Sequence, residues 1–284
     1  MPPRRRPSGS PRRPGCGCGF DRLGGPAGGA DPARLLRSCD VPSSRNFIPT
    51  GNISDLLRVP PPSTYNPIDP QRSTTMKYAI IGAGNVGGAV ARAVTAAGHQ
   101  AVVAATSTDK LDALAQDLGV QTTTSNRDAA AGADVVVLTV PFDAVAAIAA
   151  DLRAELDGTV VIDATNPLAA DLSGLSTSGT SAAELVQQAA PGARVVKAFN
   201  TAFASNQADP QVEGTRLDGF LAGDDDEAKQ TVSDLLSAVG YRPIDVGGLS
   251  AARYLEGLAF LNIALNARNG WAWQSGWKLV GPTG

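Results

Sequence analysis

The sequence predicts an α/β fold: a doubly wound parallel sheet with helices on both faces. Two observations predict it. An apolar run at residues 78–81 leads straight into the glycine-rich turn Gly82-Ala83-Gly84-Asn85-Val86-Gly87. Further short apolar runs then alternate with Ala-rich helical stretches, the pattern of a parallel sheet covered on both sides.

The first strand, 78–81, is uniformly apolar, as a strand buried on both faces must be. Gly82 permits the tight turn after it, Gly84 lets backbone approach a diphosphate, and Gly87 lets the next helix lie close on the strand. The amides that open this helix would face the phosphates. The helix over 89–97 is stopped by Gly98. A second strand follows at 100–105, on schedule for a Rossmann-type dinucleotide fold. An NAD-preferring site usually ends this strand in Asp or Glu, which hold the ribose 2′-hydroxyl. No carboxylate stands there. Thr106, Ser107 and Thr108 open the next helix instead, with Lys110 one turn in. Hydroxyls, amides and a helix N-terminus suit a 2′-phosphate, which points to NADP; ordinary N-capping by Ser or Thr explains the same residues.

A third strand is expected at 120–123 and a fourth at 133–140. Pro141 then falls in the first turn of the following helix, where its missing N–H costs nothing. The fifth strand, 159–163, ends in Ala164-Thr165-Asn166-Pro167. The sixth, 195–198, ends in Phe199-Asn200-Thr201. Ligands of such sheets bind beyond the carboxyl ends of the strands, so the loops 82–87, 106–110, 139–142, 163–167 and 200–204 are the candidates. Asp163 reads equally as a turn cap, and Lys197 as a satisfied strand-end charge.

A strand at 217–222 precedes Asp224-Asp225-Asp226-Glu227, which load acid onto the first turn of a helix through Val239. The spacing lacks the alternating ligands of a calcium loop. Another strand covers 241–246. Ser250 is expected to cap a long helix over 251–267 with Tyr254, Leu258, Leu261 and Leu265 as its apolar stripe, stopped by Asn269-Gly270. Trp271, Trp273 and Trp277 are expected to pack on the core or on a second subunit.

Charge is split along the 284 residues. Residues 1–75 hold 11 Arg and 5 Asp with no Lys or Glu, whereas residues 76–284 hold 13 basic and 22 acidic residues. The acidic globular part argues against nucleic acid as a partner. No apolar run reaches the ~18–20 residues that span a bilayer. Residues 1–75 carry 14 of the 20 Pro and all three Cys, Cys16, Cys18 and Cys39. This Pro/Arg-rich leader is expected to be disordered and non-functional, an over-extended start before Met76. No His or further Cys lies near Cys16-Gly-Cys18 to complete a metal site. Residues 76–202 read as the dinucleotide-binding domain, and 203–284 as a small C-terminal α/β extension for substrate and dimerisation.

Residues 76–284 resemble the NADPH-dependent deazaflavin (coenzyme F420) reductase family. The resemblance rests on Ile-Ile-Gly-Ala-Gly-Asn-Val-Gly at 80–87, Thr-Val-Pro-Phe-Asp-Ala-Val at 139–145, Val-Val-Lys-Ala-Phe-Asn-Thr at 195–201 and Ala-Gly-Asp-Asp-Asp-Glu at 222–227. It implies NADP(H) beside the glycine loop; together with the loops read above at the strand ends, the expected cofactor contacts are Gly82, Ala83, Gly84, Asn85, Val86, Gly87, Thr106, Ser107, Lys110, Val140, Pro141 and Phe142. It also implies coenzyme F420 laid across the nicotinamide near Asn166, Asn200 and Thr201, in a cytoplasmic homodimer acting on a small-molecule redox substrate. The family tends to carry Ser-Arg-Arg after the second strand, where this chain has Ala105-Thr106-Ser107.

The residues themselves bear on the chemistry. Oxidation of an alcohol needs a positioned acid or base. The lone histidine, His99, falls between the first helix and the second strand, at the end remote from the cofactor. The helix 251–267 has no Lys. Transfer between two ring cofactors needs only stacking and hydrogen bonds, which Asn166, Asn200 and Thr201 could supply. The alternatives are an imine or pyrroline-carboxylate-type reductase and a nucleotide-binding sensor without turnover.

Overall fold

The computed structural model describes residues 75–281. The reading of the Pro/Arg-rich leader, with its three cysteines, lies outside the described residues. Ten strands and seven helices follow in order: β1 (Lys77–Ile81), α1 (Asn85–Ala96), β2 (Gln100–Ala104), α2 (Thr108–Leu118), β3 (Gln121–Thr123), α3 (Asn126–Ala130), β4 (Val135–Leu138), α4 (Phe142–Asp151), β5 (Val160–Asp163), α5 (Ala182–Ala189), β6 (Arg194–Lys197), the hairpin β7 (Gln211–Val212) and β8 (Thr215–Arg216), then β9 (Asp218–Gly223), α6 (Asp226–Val239), β10 (Arg242–Asp245) and α7 (Ala252–Asn269).

Eight strands form one sheet in the order β10-β9-β6-β5-β4-β1-β2-β3. Strands β1 to β6 are mutually parallel. Chain order reverses at β1, which pairs with β2 on one side and β4 on the other. A crevice opens at that reversal, outside the carboxyl ends of the strands. Alternation along each strand divides the core. Tyr78 and Ile80 join Val90, Val94 and Leu111 on the α1/α2/α6 face, while Ala79 and Ile81 join Val145, Ala149 and Val186 on the α3/α4/α5 face.

Four local expectations are corrected. Helix α1 starts at Asn85 rather than 89, because glycines 87 and 88 sit in its first turn, packed against the loop and against α2. Pro141 is the residue that precedes α4, one place before its first turn. The sheet is not wholly parallel: β9 meets β6 antiparallel and carries β10 with it. Residues 198–217 join β6 to β9 with a hairpin and a single 3-10 turn, and a connection without a crossover helix permits an antiparallel neighbour.

Helix α7 differs most. It follows a 3-10 turn at Leu249–Ala251, and Ala251 rather than Ser250 holds its N-cap position. Its buried face runs through Leu255, Glu256, Ala259, Asn262 and Asn266. The expected stripe lies on the other side, with Tyr254 78% and Leu261 47% exposed. The buried asparagines are satisfied locally. Asn266 Nδ2 donates to Ser275 Oγ at 2.7 Å, and Ser275 Oγ donates to Asn262 Oδ1 at 2.7 Å. Trp271 and Trp273 remain exposed, with Trp273 edge-on to Phe203 at 5.5 Å.

Candidate functional site

The β1–α1 turn is built by close approach of backbone to backbone. Gly82 has φ +119°, in the region that favours glycine, and a Cβ there would meet Thr139 Oγ1 at 2.7 Å. A Cβ on Gly87 would lie 1.9 Å from the Gly82 carbonyl oxygen. Thr139, directly after β4, buttresses the turn: its hydroxyl reaches the carbonyl oxygens of Ile81 at 3.0 Å and Gly82 at 3.1 Å. Gly84 behaves differently. A Cβ there would meet nothing within 4 Å, so the turn is closed against its own helix and open outward. Gly84 also stands at the N-cap of α1, where no side chain caps the helix. First-turn amides above open space, at the positive end of a helix dipole, make a donor set for a diphosphate.

A cavity of about 410 Å³ continues from this turn, lined among others by Ala83, Gly84, Asn85, Arg92, Lys110 and Leu114. Four of the residues expected at the cofactor are thus in one cavity, and Val86 and Gly87 lie in the helical turn beneath it. Thr106 and Ser107 follow β2 at its carboxyl end without lining this cavity. Ser107 is the N-cap residue of α2 and makes no capping bond, unlike Ser125 at α3, which accepts from the Asp128 amide at 3.1 Å. The capping explanation of Ser107 is therefore not borne out. Arg92 was not legible locally, because it is supplied by α1 rather than by the β2–α2 turn. Its signal is helical spacing, since Asn85, Gly88 and Arg92 share one face of α1. It pairs with Asp117 at the exposed surface.

After β4, Val140 and Phe142 pack half-buried on the α3/α4/α5 core and Pro141 is exposed. After β5 and β6 the structure brings Asn166 and Asn200 together. Asn166 Nδ2 donates to the Asn200 carbonyl oxygen and Asn200 Nδ2 donates to Asn166 Oδ1, both at 3.0 Å. The remaining acceptor, Asn200 Oδ1, is buried without a protein partner. Buried acceptors are nearly always satisfied, so this oxygen suits a donor on a ligand. Thr201 beside it is buried. Phe199 holds a positive φ of 63°, uncommon for a bulky residue, and Gln207 Nε2 ties its carbonyl oxygen at 3.0 Å.

Beneath this pair lies a charged cluster. Lys197 Nζ, fully buried, donates to Asp163 Oδ2 at 2.9 Å and to Glu256 Oε1 at 2.8 Å. Burial pushes the Glu256 carboxyl above its ordinary range against the pull of Lys197. Asp163 also makes a turn, accepting from the Thr165 amide at 3.0 Å and from its hydroxyl at 2.7 Å. Both expectations for Asp163 and Lys197, a turn cap and a satisfied charge, hold. Glu256 was missed, because its partner lies 59 residues away; an acid spaced with Ala252 and Ala259 on one helix face is its only trace.

Other expected features fall outside the crevice. His99 stacks against Tyr78 at 5.3 Å beside the amino end of β1, where burial lowers its pKa. The acidic run is occupied structurally. Asp225 caps α6 through the Ala228 amide at 2.8 Å, and Asp224 accepts from the Leu249 amide at 2.7 Å. Among the described residues no helix is long and apolar enough to cross a membrane.

A parallel sheet reversing at β1, with a glycine turn opening onto a helix N-terminus, defines a dinucleotide-binding α/β protein of the Rossmann type. Residues 77–167 match the family described as NADP oxidoreductase, coenzyme F420-dependent. The F420-dependent NADP reductase of Methanothermobacter thermautotrophicus is 33% identical over 214 residues, covering 68% of this chain and 90% of that protein. The enzyme of the same description from Methanothermobacter marburgensis is 33% identical over 215 residues, covering 94% of its length. A crystal structure of a candidate F420-dependent NADP reductase from Arthrobacter sp. FB24 superposes with TM-score 0.65 at 29% identity, over 72% of this chain and 100% of that one. An imine reductase from Myxococcus stipitatus shares the fold at 20% identity and TM-score 0.55. The chain belongs to the F420-dependent NADP reductase family.

Proposed function

We propose that this protein transfers a hydride between NADP(H) and coenzyme F420, with the glycine turn as the dinucleotide cradle. The observation that carries the reading is the open space over Gly84, set against the tight closure of Gly87 on Gly82. Gly82, Ala83, Gly84, Asn85, Val86 and Gly87 bind the diphosphate through backbone amides. Thr106 and Ser107 meet the adenosine ribose, and Arg92 and Lys110 in the adjoining cavity supply positive charge for a 2′-phosphate. Val140, Pro141 and Phe142 form the apolar wall that leads toward the nicotinamide end.

The bound nicotinamide supplies the hydride chemistry. The chain's own part is orientation. Asn166 and Asn200 lock one another, and Asn200 Oδ1 accepts a hydrogen bond from a ring or amide N–H. Buried Thr201 closes the site beside them. The hydride passes to the deazaflavin ring carbon and the negative charge left on the ring nitrogen takes a proton from water, so no side chain of this site is assigned as acid or base; stacking distance and hydrogen bonds are what the protein supplies. Residues 76–202 act as the dinucleotide-binding part and 203–284 as the substrate and dimerisation part of a cytoplasmic enzyme. The exposed apolar side of α7, carrying Tyr254 and Leu261, is the surface a homodimer would cover.

Mixing the full chain with NADPH and oxidised F420 tests the reading. Loss of the deazaflavin visible absorbance is expected with NADPH, and much more slowly with NADH. Bound NADPH without any loss of absorbance contradicts it.

A further inference from the structure

The cluster under the asparagine pair is more than a satisfied charge. Asp163 and Lys197 are register partners at the carboxyl ends of β5 and β6. An ammonium has three donors, and Lys197 uses all of them: two on Asp163 and Glu256, the third on the Thr165 carbonyl oxygen. Glu256 Oε1 also accepts from the Ala182 amide at 2.8 Å, so one cation joins both strand ends, α5 and α7. Thr165 immediately precedes Asn166, and Lys197 stands three residues before Asn200. The intervening Phe199 holds its uncommon positive φ. Lys197 thus holds the carbonyl next to Asn166 directly, and its own strand end leads through Ala198 and Phe199 to Asn200.

Stability does not require such an arrangement. Burying a cation and two carboxylates costs free energy that apolar groups of equal volume would not incur, whereas a fixed ion cluster imposes one geometry. We infer that Lys197 is a positioning residue: braced by Asp163 and Glu256, it holds the Thr165 carbonyl and thereby the Asn166–Asn200 bridge in the orientation that receives the hydride acceptor. The inference rests on the proposed function for its consequence in turnover, but the geometry it describes can be measured without an acceptor.

Lys197→Met alone leaves two buried carboxylates unpaired and is expected to destabilise the fold. The informative protein is the triple variant Asp163→Asn, Lys197→Met, Glu256→Gln, which removes all three charges at nearly constant volume and keeps an acceptor for Thr165. It is expected to stay folded and to bind NADPH within about twofold of wild type, since the cradle is untouched. Amide exchange at residues 165–168 and 199–202 should rise about tenfold, while β1 and β4 keep their protection, as one lost buried hydrogen bond implies. The kcat for F420 reduction should fall about tenfold or more with KM for NADPH unchanged. A folded triple variant with unchanged exchange in those two segments overturns the inference. So does one that cannot fold, because the cluster would then serve stability. If the wild type binds NADPH but never reduces F420, the proposed function fails, and the exchange measurement still decides the role of Lys197.

Discussion

The carbonyl oxygen of Gly82 lies 1.9 Å from where a Cβ on Gly87 would stand, so the loop and the helix it opens touch backbone to backbone. Gly84, two residues further along the loop, has nothing within 4 Å of the same construction. The two positions therefore predict opposite behaviour. Gly87→Ala forces backbone apart and should lower both stability and NADPH affinity. Gly84→Val should keep its thermal midpoint, yet weaken NADPH binding about a hundredfold or more by filling the diphosphate space. Melting curves paired with fluorescence titration separate the two. A Gly84→Val protein that binds NADPH normally would remove the diphosphate from this turn.

Arg92 and Lys110 give a second prediction, on cofactor choice. Both line the cavity beside Gly84, and charge-assisted hydrogen bonds to phosphate contribute about 1.5–3 kcal/mol each. Alanine at either position should therefore weaken NADPH about tenfold or more and leave NADH almost unchanged. Titration with 2′-phosphorylated adenosine nucleotides against AMP reads the same difference without the nicotinamide. Equal losses for both nucleotides would contradict a 2′-phosphate at this cavity.

Acid sensitivity provides a third. The Arg194 guanidinium, bonded to Asp225 at 3.0 and 2.6 Å, and then the Ala228 amide hold this carboxyl down from 3.8 to about 2. A depressed folded value means the contribution is complete above the unfolded value and is lost as pH falls through the folded one. The stability advantage of wild type over Asp225→Asn should be constant above about pH 4 and shrink toward pH 2. Arg194 lies on β6 and Asp225 caps α6, so the pair ties the β6 edge to the helix behind it. Urea denaturation across this range measures the difference, and an advantage that grows on acidification would refute the assignment.

The glycine turn and the parallel strands around it are legible because their determinants are local. A strand, three glycines and a helix start lie within eleven residues, from Lys77 to Gly87. Apolar runs marked β4 to β6, and the loops after them carry Asn166 and Asn200. What was not legible depends on contacts distant in sequence. Glu256 and Lys197 are 59 residues apart, and nothing near either residue announces the other. Helix α7 was read on the wrong side because periodicity takes the apolar face to be the buried one. There the buried face carries Glu256, Asn262 and Asn266: Glu256 Oε1 accepts from Lys197 and the Ala182 amide, and the two asparagines bond each other and Ser275. The antiparallel entry of β9 likewise depends on a connection without a crossover helix, whose direction strand composition does not record.

Direct passage of hydrogen from nicotinamide to deazaflavin is the centre of the account, and isotope transfer tests it most directly. NADPH deuterated at C4 on the transferred face is mixed with oxidised F420 and the full chain in ordinary water, and the reduced deazaflavin is examined by mass spectrometry. One deuterium per reduced ring is expected, since a hydride passed directly from carbon to carbon never equilibrates with water. Reduced deazaflavin carrying only protium, or no reduction while NADPH remains bound, would contradict the account.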